Sequence, residues 1–180
     1  MSARYPWYEI VSGSELQQGD FLDDCPIIVP PEKFVVPEGT GRVENVQVNV
    51  QTYDVLIMSQ SCDLVQEKID LVLVCPHWSL SEIEQANQFF RSDRGKEEIR
   101  RGNVPGYHML ASCELEGFEK EVRVVDFRAV FSLPMDFVKD FASRKGRRVR
   151  LLPPYREHLS QAFARFFMRV GLPVNIPAFR

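Results

Sequence analysis

Apolar and polar residues alternate cleanly from Val43 to Val50 (V-E-N-V-Q-V-N-V), and this period of two predicts a strand with one wet face. Two denser apolar runs follow, D-V-L-I-M ending at Met58 and I-D-L-V-L-V-C ending at Cys75, whose β-branched content predicts strands buried on both faces. Three strands in such close succession imply an antiparallel meander. Ahead of them, Pro and Gly crowd C-P-I-I-V-P-P-E (25–32) and V-P-E-G-T-G (36–41), which reads as an irregular connection or hairpin loop.

After Pro76 the period lengthens. Ser79 with Glu82, or Ser81 with Glu84, forms a capping box ahead of Ile83, Ala86 and Phe90 at helical spacing. G-K-E-E-I-R-R-G adds a short polar helix, and G-Y-H-M-L-A-S-C and V-R-V-V-D-F-R-A-V-F return to strand character. P-M-D-F-V-K-D-F-A is a further helix ending at R-K-G, and R-V-R-L-L a last strand. Pro153 and Pro154 open a final helix that Gly171 and Pro173 stop. On it Tyr155, Leu159, Ala162, Phe163, Phe166 and Val170 share an apolar face, opposite His158, Gln161, Arg165 and Arg169. Strands with flanking helices but no regular βαβ alternation indicate an α+β fold, a small bent antiparallel sheet or open barrel covered by two or three helices.

Composition narrows the class. With 180 residues and 44% hydrophobic content, the chain can bury one sizeable core, and a single α+β domain over 1–180 is expected. The apolar runs are too short to span a bilayer and the N-terminus carries no long apolar leader, so a cytoplasmic protein without membrane contact is expected. Four scattered cysteines without a C-x-x-C pair imply reduced thiols. Net charge is -3, yet nine Lys or Arg stand against two acids between Lys139 and Arg169. Arg144, Lys145, Arg147, Arg148 and Arg150 at the centre of that segment are candidates for contacting nucleic-acid phosphates. A solvated basic turn would look the same.

Candidate chemistry gathers where the strand over 53–58 runs into S-Q-S-C-D. Cys62 is a candidate nucleophile if His108 or His77 serves as base, although the adjacent Asp63 carboxylate opposes a thiolate. Cys75 and His77, with Cys62, Cys113 and His108, offer a nitrogen and sulfur set for zinc, and Asp63, Glu67 and Asp70 offer oxygens for a hard cation. A structural alternative pairs Asp63 with Arg156, which stands in the apolar sector of the last helix, as a clamp between sheet and helix. No cofactor is required by that alternative.

Two resemblances attach to these residues. Ser59 to Leu64, Leu71 to Pro76 and Pro154 to Pro173 resemble the S-Q-[ST]-C-D-[LI] strand end, second strand and P-Y-R-E helix of a set of uncharacterised bacterial proteins, over most of the chain. Gly19-Asp20, D-V-L-I-M-S and V-L-V-C-P resemble short signatures of the MazF/PemK toxins, β-barrel ribonucleases, over the N-terminal half. Where those toxins carry Arg-Pro this chain has Tyr53-Asp54, and His77 replaces their threonine. The resemblance implies a MazF/PemK-like barrel contacting nucleic acid or a nucleic-acid enzyme, in a toxin–antitoxin setting. A metal- or thiol-dependent hydrolase using Cys62, Cys75, His77 and His108, and a protein-partner-binding module without catalysis, are the alternatives.

Overall fold

In a computed structural model of the protein, residues 5–29 and 48–168 are described. Strand β1 (Tyr8–Val11) leads to β2 (Phe21–Val29), β3 (Asn49–Ile57), the short helix α1 (Ser61–Val65), β4 (Leu71–Ser79) and α2 (Leu80–Ala86). A 3₁₀ turn (Gln88–Arg91), α3 (Asp93–Arg100), β5 (Tyr107–Leu110), β6 (Arg123–Asp126) and β7 (Phe131–Pro134) follow. The chain then forms α4 (Met135–Lys145), β8 (Arg148–Leu151) and α5 (Tyr155–Phe167). All strand pairs are antiparallel, in a six-stranded sheet ordered β2-β3-β4-β6-β5 with β7 also on β4, and a two-stranded β1-β8 ribbon. The fold is mixed α+β, and the sheet does not close into a barrel.

Pleating sorts the core. Val55, Ile57, Val72, Val74 and Leu133 bury one face of the sheet with Val138 and Ala142 of α4. Farther along that face, Val124 and Tyr107 pack with Ile83, Phe90 and Ile99 from α2, the 3₁₀ turn and α3. Leu56, Cys75, Val125 and Leu110 face the other way, toward Val149 and Leu151 of the ribbon and Leu159 of α5. Strands β3, β4, β5 and β6 thus each feed two cores, but the first half of β4 is not buried on both faces as its dense apolar run predicts, because Leu71 and Leu73 stay exposed.

Several local expectations hold in detail. Ser79 and Glu82 form the reciprocal capping box of α2, while Ser81 donates to Glu121 instead. Helix α4 ends at Gly146, whose φ of 76° only glycine adopts readily. Tyr155, Leu159, Ala162, Phe163 and Phe166 of α5 pack into the core as their spacing requires.

Other elements differ. C-P-I-I-V belongs to β2 rather than to a loop: Pro26 is tolerated because β2 is an edge strand, bonded among the described strands to β3 alone. The run over 122–131 divides into β6 and the start of β7, and Ser61, Cys62 and Asp63 of the S-Q-S-C-D stretch lie in α1. Five α-helices, not two or three, are found among the described residues. The alternation at Val43 to Gln47, the loop at 36–41 and the Gly171 stop lie outside the described residues.

Gly19 brings ribbon and sheet together. Its φ is 89°, it donates to Ile57 O and accepts from Leu151 N at 2.9 Å each, and a Cβ there would sit 2.9 Å from the Leu151 Cβ. That approach places Asp20 beside Arg148 and Arg150.

Candidate functional site

The S-Q-S-C motif and α5 meet around a cavity of about 390 Å³ lined by Gln18, Gln60, Cys62, Arg156, Glu157 and Ser160 among others. Gln60 Nε2 donates to Ser160 Oγ at 2.9 Å, and Ser61 Oγ accepts from the Gln18 amide at 3.1 Å. Ser59 Oγ accepts from Leu73 N at 2.8 Å, so the motif's polar side chains mainly satisfy backbone and helix contacts at the strand end. The expected Asp63–Arg156 clamp is not formed. Arg156 pairs with its neighbour Glu157 at 3.1 Å and donates to Gln17 Oε1 at 3.2 Å. Asp63 stands in the first turn of α1, where the helix dipole already favours a carboxylate.

Cys62 is exposed, and its sulfur meets Asp63 Oδ1 at 3.7 Å. No histidine is hydrogen-bonded to it among the described residues. Cys75 and His77 project from β4 into the interior. Burial pushes the Cys75 thiol up to about 12, with Asp126 adding to the shift, which disfavours a thiolate. His77 Nδ1 accepts from Arg123 Nε at 3.0 Å, which places the imidazole proton on Nε2 in the neutral ring. Arg123 continues to Asp54 Oδ2 at 2.9 Å. Burial, then Arg123 and Lys120, hold the His77 pKa well below the ordinary histidine range. Asp54 and His77, two of the three positions that depart from the toxin signatures, are thus joined by one arginine in a structural network. Among the described residues no three His, Cys, Asp or Glu side chains converge as a ligand set, so Cys62, Cys75, His77, Cys113 and His108 are not drawn together. Glu67 is taken by Lys139.

The basic segment divides. Arg148 and Arg150 are 4% and 7% exposed and both hold Asp20, which is fully buried. Arg148 also donates to Gly13 O at 2.7 Å and to Glu15 O, and Arg150 to Glu15 O at 3.1 Å. These two arginines serve the interior and are not available to phosphate. They lie on β8, between β1 and β2, where every position is covered. Arg144, Lys145 and Arg147 stay at the surface, the first two paired with Asp140 and Asp24, the third over the Phe118 ring.

A cationic groove forms elsewhere. The edge strand β5 is flanked by the end of α3 and the wet face of α5, and the cavity between them, about 240 Å³, is lined by Arg100, Arg101, His108, His158, Gln161 and Arg165 among others. Its lining contains no carboxylate among the described residues. Glu97 lies behind it, accepting from Arg100 and Arg101; these bonds, Arg100 first, pull the Glu97 carboxyl down to about 2 and aim both guanidinium groups. Arg165 has no ion-pair partner among the described residues. His108 stacks on Phe127, and burial, then the charge of His158, lower its pKa to about 4. Sequence patterning shows each half of this groove, R-R-G after α3 and His158/Gln161/Arg165 on α5, but not that β5 brings them together.

Comparison with protein-family models, with curated protein sequences and with solved structures gave no match. No helix among the described residues is long and apolar enough to cross a membrane.

Proposed function

We propose that the protein is a non-catalytic binding module of the bacterial cytoplasm that takes an anionic partner in the groove between α3 and α5. One observation carries the reading: three arginines and two histidines line a single cavity whose described lining has no carboxylate. Arginines stay charged at any physiological pH, and like charges gathered in a concave site focus a positive potential that an anion relieves. The hydrolase alternative lacks such support, because its cysteines and histidines sit in separate environments.

The test is equilibrium binding of tripolyphosphate, an oligo-dT strand and penta-glutamate to the wild type and to an Arg100→Ala/Arg101→Ala/Arg165→Ala variant. The wild type binds at least one of them with affinity that falls steeply as salt rises, and the variant loses it. Failure of all three to bind the wild type, or unchanged binding by the variant, overturns the reading.

A second reading keeps the nucleic-acid contact of a MazF/PemK-like protein at Arg144, Lys145 and Arg147. Their exposure at the end of α4 and just ahead of β8 supports it. Oligo-dT binding that falls with Ala at these three positions, and not with the groove variant, would select it.

A further inference from the structure

We infer that the groove's occupant is an acidic polypeptide segment in extended conformation, added as a strand to the free edge of β5. This rests on the groove reading and names its partner. Two backbone bonds fix which way the β5 groups point. Leu80 N donates to Val122 O and Phe127 N to Gly106 O, both at 2.9 Å, so even-numbered residues of β6 turn their backbone groups to β4 and odd-numbered ones to β5. His108 and Leu110 therefore bond to Val125 and Arg123, while Met109, opposite Val124, turns its N–H and C=O away from β6. Tyr107 N–H is closed by Val104 O at 2.9 Å. The open side of Met109 is the wall of the cationic groove. β5 has no neighbour but β6 in the described sheet.

The flanking charges set the occupant's chemistry. Side chains of an added strand point alternately to the two faces of the sheet. Arg100 and Arg101 stand on the α3 side, Arg165 and His158 on the α5 side. Consecutive acidic residues would thus meet a cation on both faces while their backbone pairs with Met109. A free polyphosphate satisfies the charges and leaves the Met109 groups to water.

The test compares blocked penta-glutamate with a form N-methylated at every residue. The methylated form keeps the charges but has no N–H to donate to β5, so it should lose about tenfold or more in affinity. Hydrogen exchange of the Met109 amide should slow on binding the parent peptide. Equal affinities of the parent and the methylated form, with Met109 unprotected, overturn strand addition and leave the anion groove standing. Binding of oligo-dT or tripolyphosphate without binding of penta-glutamate overturns the polypeptide occupant. Failure of every polyanion overturns the groove itself.

Discussion

Arginine is used in opposite ways at the two ends of this molecule. Around Asp20, Arg148 and Arg150 are buried, and their bonds to Asp20, Gly13 O and Glu15 O join the β1–β8 ribbon to the entrance of β2. Along the β5 edge, Arg100 and Arg101 stay exposed while pairing with Glu97, and Arg165 is exposed without an ion-pair partner among the described residues. A buried charge must be answered within the protein, whereas an exposed one can wait for a ligand. The first set predicts stability and the second recognition.

The sharpest way to break that distinction is Asp20→Ala. It would leave two buried guanidinium groups without their carboxylate and should cost about 3 to 5 kcal/mol in urea unfolding. Asp20→Asn, which keeps an acceptor oxygen, should cost less. A neutral Asp20→Ala would mean that the arginines reach water and that the node is not structural. The groove variant Arg100→Ala/Arg101→Ala/Arg165→Ala should show the reverse, an unchanged urea midpoint with polyanion affinity down about tenfold or more. A large shift in its midpoint would merge the two classes.

Much of this contrast was hidden in the sequence. R-V-R-L and E-I-R-R-G look alike in charge, and only the first becomes a strand enclosed by β1 and β2. Local signals were legible because their causes are local: the Ser79/Glu82 cap, the glycine end of α4 and the aromatic face of α5. Asp20–Arg150 and the meeting of α3 with α5 depend on chain segments far apart, as does the Gln60–Ser160 bond that replaces the expected Asp63–Arg156 pair. Pro26 misled for a different reason, since whether proline fits a strand depends on its being at an edge, which pattern does not show.

Acid gives a smaller effect. The folded-state pKa values of His77 and His108 lie below the ordinary value of 6.5. For a depressed pKa the unfolded chain binds the proton first, so the stability these rings contribute is full above about pH 6.5 and declines as pH falls. The His108 share is lost between pH 6.5 and about 4, and His108→Gln should flatten that part of the urea midpoint against pH. A polyanion in the groove favours protonated His108, so its affinity should rise as pH falls through the same range. An affinity that is flat with pH would place the anion away from His108.

The mildest probe concerns thiols. Cys62 is exposed, whereas Cys25, Cys75 and Cys113 are buried, and burial pushes Cys25 up to about 11. A maleimide should label one thiol quickly in the native protein and the rest only after unfolding, and Cys62→Ser should remove the fast phase with little change in stability. Rapid labelling of several native thiols would contradict the two-core packing.

The Asp20 node also has a consequence in time. Asp20 and Arg148 are 128 residues apart in the chain. On a ribosome adding roughly 5–20 residues per second, the carboxylate waits on the order of ten seconds for its arginines to be synthesised. Until then β2 can pair with β3, but Asp20 must remain hydrated and the ribbon cannot form. The nascent protein can therefore pair β2, β3 and β4 well before its lock is made, and during that interval the face later covered by β8 and α5 is uncovered.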